Sequence, residues 1–175
     1  MIIFDTETTG LLMPEVADLA AQPHIIEIAM VKLDDDYEEV DRYEALLKPP
    51  VPIDEELHKR ISGLTTADLA DACTFLDLYG ELVDFFLGER IVIAHNLDFD
   101  KNMLVNELRR IGKEFAFPYP ARQLCTVVES KHIKGRRMKM TELYEHLFKQ
   151  PLKQKHRAMA DVEALVEIVK KMRPV

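Results

Sequence analysis

Arg90-Ile-Val-Ile-Ala-His-Asn-Leu-Asp-Phe-Asp100 decides the fold class. Its apolar run reads as a buried strand, and it passes without a break into a helical pattern. Phe99, Met103, Leu104, Leu108 and Ile111 share one side of that helix, and Gly112 stops it. Upstream the pattern is different. Met1–Thr6, His24–Leu33 and Glu38–Leu47 read as three strands joined through the turn signals Thr9-Gly10 and Asp34-Asp35-Asp36, an antiparallel start to a sheet. Pro49, Pro50 and Pro52 end it, since proline cannot donate to a ladder. Downstream, a short helix is expected at Thr65-Thr66. A longer one follows from Thr74, with Phe75, Leu78, Leu82, Phe85 and Phe86 at helical spacing. A short strand near 123–125 precedes helical segments at 126–132 and 140–148, and Val162, Leu165, Val166 and Val169 mark a C-terminal helix. Strands first and αβ units later predict an α/β fold, a mixed five-stranded sheet flanked by helices, with residues 1–175 forming one domain.

Composition narrows the function classes. Apolar residues are 47% and charged residues 31% of the 175, which excludes a disordered tail or a collagen. No apolar run approaches the roughly 18 residues of a spanning helix, so no membrane partner is expected. Cys73 and Cys125 are too few for a disulfide framework and fit a reducing compartment. The first residues carry no basic flank or small-residue cleavage site, so a cytoplasmic location is expected. The net charge of −8 speaks against a nucleic-acid partner, but its distribution does not. Residues 131–157 hold nine basic and two acidic side chains, a net +7 on a body that is otherwise −15. Such a patch can hold a phosphate chain while the global field discourages indiscriminate coating of duplex DNA. A solvated helix face and loop would look the same by charge alone.

Three clusters can do chemistry. Asp5 and Glu7 alternate onto one face of the first strand, with roughly 6–7 Å between their Cα atoms. Two such acids in a sheet interior are costly unless one is protonated or a cation neutralises both, and oxygen ligands suit Mg²⁺ or Mn²⁺. The ordinary explanation is that Asp5 ends a strand and Glu7 faces solvent. His95, Asn96, Asp98 and Asp100 gather where a strand meets a helix N-terminus, the customary site edge of αβ sheets. Either aspartate there can serve as a first-turn helix acid. His156 and Asp161 would point about 140° apart on a continuous helix, so they can share a site only if His156 precedes the helix and Asp161 lies in its early turns.

Together, Phe4-Asp-Thr-Glu-Thr-Thr-Gly-Leu11, His95-Asn-Leu-Asp-Phe-Asp100 and His156-x4-Asp161 resemble the three motifs of the DEDDh 3′→5′ exonucleases, the DnaQ-like family that includes the polymerase III epsilon proofreading subunit, exonuclease X and ribonuclease T. The likeness runs from residue 1 to about 172. Ile25-Ile-Glu-Ile-Ala29 and Ile61-Ser-Gly-Leu-Thr65 also look like family framework segments, and Ser62 departs from the pattern, because many relatives carry a histidine there in an H-G-I-T-like turn. The resemblance implies a ribonuclease-H-like fold in which Asp5, Glu7, Asp100 and Asp161 surround two divalent cations, Mg²⁺ or Mn²⁺, and His156 is the general base; Asp98 is then the helix-capping acid. In the family Leu11 would pack against the terminal base. The residues themselves add further expected contacts: the backbone of the turn Thr8-Thr9-Gly10-Leu11 at the 3′-hydroxyl, Asn96 and Phe99 at the last nucleotide, and Arg136 and Arg137 of the basic loop 134–139 on phosphates upstream. The expected partner is nucleic acid with a free 3′ end, single-stranded DNA before RNA, and a DNA polymerase is a further one. The chain ends at Val175 without the polymerase-docking tail of the proofreading subunit, so it is expected to act alone or to dock by another surface. The competing readings are an RNA-trimming exoribonuclease and a binding module that has lost catalysis.

Overall fold

The computed structural model describes residues 1–153 and 156–174, so Lys155 of the basic segment lies outside the described residues. Five strands form one sheet: β1 (Ile2–Thr8), β2 (Ile25–Leu33), β3 (Glu39–Leu46), β4 (Ile91–Ala94) and β5 (Arg122–Cys125), in the order β3-β2-β1-β4-β5. β1–β2 and β2–β3 pair antiparallel, whereas β1–β4 and β4–β5 pair parallel. The mixed sheet therefore follows from the two dialects of the sequence, hairpins first and αβ units afterwards. Seven described α-helices flank it: α1 (Glu55–Ile61), α2 (Thr66–Leu69), α3 (Phe75–Phe86), α4 (Leu97–Arg110), α5 (Thr126–Lys134), α6 (Met140–Phe148) and α7 (Ala158–Met172). No described helix is long and apolar enough to cross a membrane.

Capping sets the helix starts. Thr65 and Thr74 each form a capping box, with Asp68 and Asp77 respectively. The proline-rich stretch hides one helix from sequence reading: Asp54 accepts the Leu57 N–H at 3.1 Å and starts α1 directly after Pro52. Ser62 closes α1 and is buried, its hydroxyl accepting the Leu64 N–H at 3.3 Å.

Strand alternation sorts the core into two layers. Ile2, Phe4, Ile28, Met30, Val92 and Ala94 pack against α3 and α4. Ile3, Ala29, Val31, Ile93 and Leu124 pack on the opposite face against α6 and α7, whose Val162, Leu165 and Val169 are fully buried. Each such side chain is worth about 1.5–3 kcal/mol of burial. Continuing the alternation past Ile3 puts Asp5 and Glu7 on the α7 face, so α7 and the two acids meet.

Candidate active site

The parallel pairing of β1 with β4 runs only through Ile2 and Ile3, and beyond it the two strands diverge. α4 fills the fork. Asp100 in its first turn is buried, and its Oδ1 accepts the Thr6 N–H at 3.0 Å and the Thr6 hydroxyl at 2.8 Å. The acid thus takes the ladder position β4 vacates. On its other side β1 stays paired with β2, Asp5 opposite Ala29 and Glu7 opposite Glu27, until a bulge with Ile26 as the extra residue breaks the register after Glu7.

Asp161 is buried within the apolar stripe of α7. His156 stands two residues before that helix with φ 49°, outside the helical conformation. This resolves the angular conflict of a continuous helix. Among the described residues, Glu7, His156 and Asp161 form a group able to hold a metal ion, one ligand atom from each lying within 4.8 Å of the others.

Burial and crowding dominate the electrostatics. Asp5 is raised well above the usual carboxylate range, first by burial and then by Asp100, Asp161, Glu7 and Glu27. Burial and then Asp161 push Glu7 up to about 8. Asp100 is pushed up to about 7 by burial, against the Thr6 hydrogen bonds, which favour its charged form. Acids arranged this way hold protons at neutral pH unless a cation replaces them. That response and a donor set made up mainly of carboxylate oxygens fit a hard divalent ion.

The remaining sequence-derived positions lie on the turn after β1, at the start of α4 and on the segment between α5 and α6. Leu11 is 81% exposed, so it is no core residue. The Thr8 hydroxyl donates to the Gly10 carbonyl at 2.7 Å and tightens the turn after β1, and the Thr9 N–H donates to the His24 carbonyl at 2.8 Å. Asn96 is exposed in the left-handed region at φ 71°, and Phe99 is half-buried beside the α3–α4 core layer. Asp98 does not cap α4: it lies exposed in the first turn, and no side-chain bond closes the helix start at Asn96. His95 is half-buried, its Nδ1 2.9 Å from the Thr126 hydroxyl, and burial brings it down to about 4. Arg136 hydrogen-bonds Glu142, which Lys134 also approaches at 3.6 Å, whereas Arg137 and Lys139 line an open cleft of about 400 Å³ with His95 and Asn96.

Sequence reading missed Glu27. Its side chain is fully buried beside Glu7, and Arg157 binds it through Nε at 2.9 Å and Nη2 at 2.7 Å. The available signal was a lone acid inside the apolar run Ile25-Ile-Glu-Ile-Ala29, which demands a buried partner.

Residues 2–169 match the RNase_T family of exonucleases. The chain belongs to that family. It is 29% identical over 173 residues to the PolC-type DNA polymerase III of Caldanaerobacter subterraneus subsp. tengcongensis, covering 98% of this chain and 11% of that one. The corresponding enzyme of Oceanobacillus iheyensis is 32% identical over 165 residues, covering 93% and 11%. The chain thus spans about a tenth of the length of these curated relatives. Among solved structures, exonuclease X in complex with 5′-overhanging duplex DNA superposes with a TM-score of 0.66 at 23% identity, covering 99% of this chain and 92% of that one. The nuclease domain of 3′hExo, a DEDDh family member bound to rAMP, does so at 0.75 and 17%, covering 98% and 90%. At these identities the likeness establishes the fold, a mixed sheet of the ribonuclease-H-like exonuclease type.

Proposed function

We propose that residues 1–175 form one exonuclease domain that removes nucleotides one at a time from the 3′ end of single-stranded or frayed DNA, releasing nucleoside 5′-monophosphates. The observation that carries this reading is the convergence of Asp5, Glu7, Asp100 and Asp161 from β1, α4 and α7, with His156 beside them. These four acids would hold two divalent cations, Mg²⁺ or Mn²⁺. Bound there, such ions supply an activated water and neutralise the leaving 3′-oxygen of a phosphodiester. The chain's own side chains do the rest. His156 is exposed at the mouth of the site, where its imidazole takes the proton of the attacking water. The turn Thr8–Leu11 presents an apolar side chain, Leu11, against which a terminal base packs without sequence preference. Asn96 and Phe99 contact the last nucleotide from the opposite wall. Arg137 and Lys139 follow the strand upstream, and Arg136 contributes less because Glu142 holds it.

The similarity to PolC-type polymerases supports a DNA polymerase as a partner and a cytoplasmic setting. A structural neighbour solved as a 3′-exonuclease recognising the histone mRNA stem-loop, with a TM-score of 0.77, supports RNA trimming as the second reading. Digestion of matched 5′-labelled DNA and RNA oligonucleotides with Mg²⁺, Mn²⁺ or EDTA tests both. A one-nucleotide ladder shrinking from the 3′ end of DNA, abolished by EDTA, is expected. Faster decay of RNA would install the second reading, and internal cuts or no cleavage would overturn both.

A further inference from the structure

Glu27 sits at the centre of β2, directly across from Glu7, with its side chain fully buried. A carboxylate in such a place costs several kcal/mol unless it is paired and hydrogen-bonded. It is both. Arg157 donates from Nε to both carboxylate oxygens, at 2.9 and 3.1 Å, and from Nη2 to Oε1 at 2.7 Å. The Ala158 N–H adds a fourth bond to Oε2 at 3.0 Å. Ala158 is the first residue of α7, and no side chain at Arg157, its N-cap position, closes the helix. The cap therefore comes from another element, a strand 131 residues away in sequence.

The residue just before this clamp is His156, whose φ of 49° lies in the left-handed region. A non-glycine residue held there costs about 1–3 kcal/mol and persists only where its surroundings over-determine it. Immediately C-terminal to His156, Arg157 and Ala158 are both fixed to Glu27. With its following neighbours pinned to β2, His156 is held in the one turn that brings its ring against Glu7 and Asp161.

We propose that Glu27 is a positioning residue for His156, acting through Arg157 and the Ala158 N–H. This rests on the functional reading above, in which His156 takes the proton of the attacking water. A merely stabilising ion pair would lower melting temperature and activity without regard to whether His156 is present. A positioning role makes the two residues interdependent. Glu27→Gln keeps the shape and removes the charge. It should lower kcat by about 10- to 100-fold, the range for removing a partner that orients a functional group, with KM within about twofold. In a His156→Ala background the same substitution should cost no more than about twofold. Arg157→Lys, which cannot form the bidentate clasp, should fall between wild type and Arg157→Ala.

A readout independent of activity is the His156 ring resonance of histidine-labelled protein, assigned by its absence in His156→Ala. In Glu27→Gln it should move toward the free-histidine position and broaden. Should Glu27→Gln fail to fold, as judged by circular dichroism, Arg157→Lys carries both measurements. An equal kcat loss in the presence and absence of His156, or an unmoved ring resonance, overturns the proposal. If His156→Ala alone leaves kcat unchanged, the functional reading fails instead, and the resonance still decides whether Glu27 holds the ring.

Discussion

The molecule buries acids in two places and treats them oppositely. Glu107 on α4 is buried with His24 Nδ1 at 3.1 Å, the Ile25 N–H at 3.1 Å and Arg110 Nη1 at 2.8 Å all directed to its Oε1. Arg110 goes on to bond the carbonyls of Leu19, Gln22 and Pro23. That cluster closes on itself and ties the loop after β1 to α4. At the fork of β1 and β4, by contrast, Asp5, Glu7 and Asp100 repel one another. Arg157 eases Glu7 electrostatically but gives its hydrogen bonds to Glu27. A buried acid that has gathered donors is part of the scaffold, whereas buried acids held together against their own repulsion are, in the function proposed above, a receptor for cations.

Removing a receptor acid should have the largest effect. Asp5→Ala or Asp161→Ala is expected to reduce turnover of a labelled oligonucleotide to background while the protein stays folded in circular dichroism. Cleavage by Asp5→Ala at the wild-type rate would break the distinction at once. Next, His156→Ala should lower kcat by roughly 10²–10⁴-fold, the range of a positioned general base. Alanine at His24, His58, His95, His132 or His146 should matter far less per folded molecule.

The scaffold cluster should respond in stability rather than chemistry. Glu107→Gln is expected to cost about 3–5 kcal/mol in urea unfolding, as breaking a buried charge pair does. Turnover per folded molecule should remain near normal, and added Mg²⁺ should not restore the loss.

pH separates the two clusters further. Asp5, Glu7 and Asp100 bind protons more tightly folded than unfolded, so the metal-free protein gains nothing from them below about pH 4. It is progressively destabilised as pH climbs from about 4 toward about 7 for Asp100 and about 8 for Glu7. Melting temperature without metal should therefore fall from pH 5 to pH 8.5, and the increment produced by Mg²⁺ or Mn²⁺ should grow over the same interval. An increment independent of pH would show that ions do not bind at these acids.

The smallest effects lie at the rim. Leu11→Ala should slow cleavage of dinucleotides by less than Asp or His substitutions do. Replacing Arg137 should lower the salt slope of KM for long strands by about one unit. Arg136→Ala should change that slope less, because Glu142 already neutralises it.

Much of this was legible in the sequence because periodicity and motif spacing are local. Hairpins before αβ units predict the mixed sheet, and the four residues between His156 and Asp161 allow a shared site only with the histidine outside α7, where it stands. What escaped depends on contacts across the fold. α1 hid behind three prolines because its signal was the single cap Asp54. Asp98 reads as a capping acid in the sequence, but the N-cap position falls on Asn96 and Asp98 lies inside the first turn of α4. Glu27 escaped because the partner that explains a buried acid in β2, Arg157, lies 130 residues further along.

The alternation Ile2-Ile-Phe-Asp-Thr-Glu-Thr8 also bears on how the chain avoids misfolding. A strand that slipped by one residue against β2 would turn Asp5 and Glu7 into the layer held by Phe75, Leu82 and Phe86. That layer is built mainly of apolar side chains, so the slipped pairing is penalised more heavily than loss of one apolar contact would penalise it. The same acids whose repulsion weakens the finished protein thus help to fix the register of its own sheet.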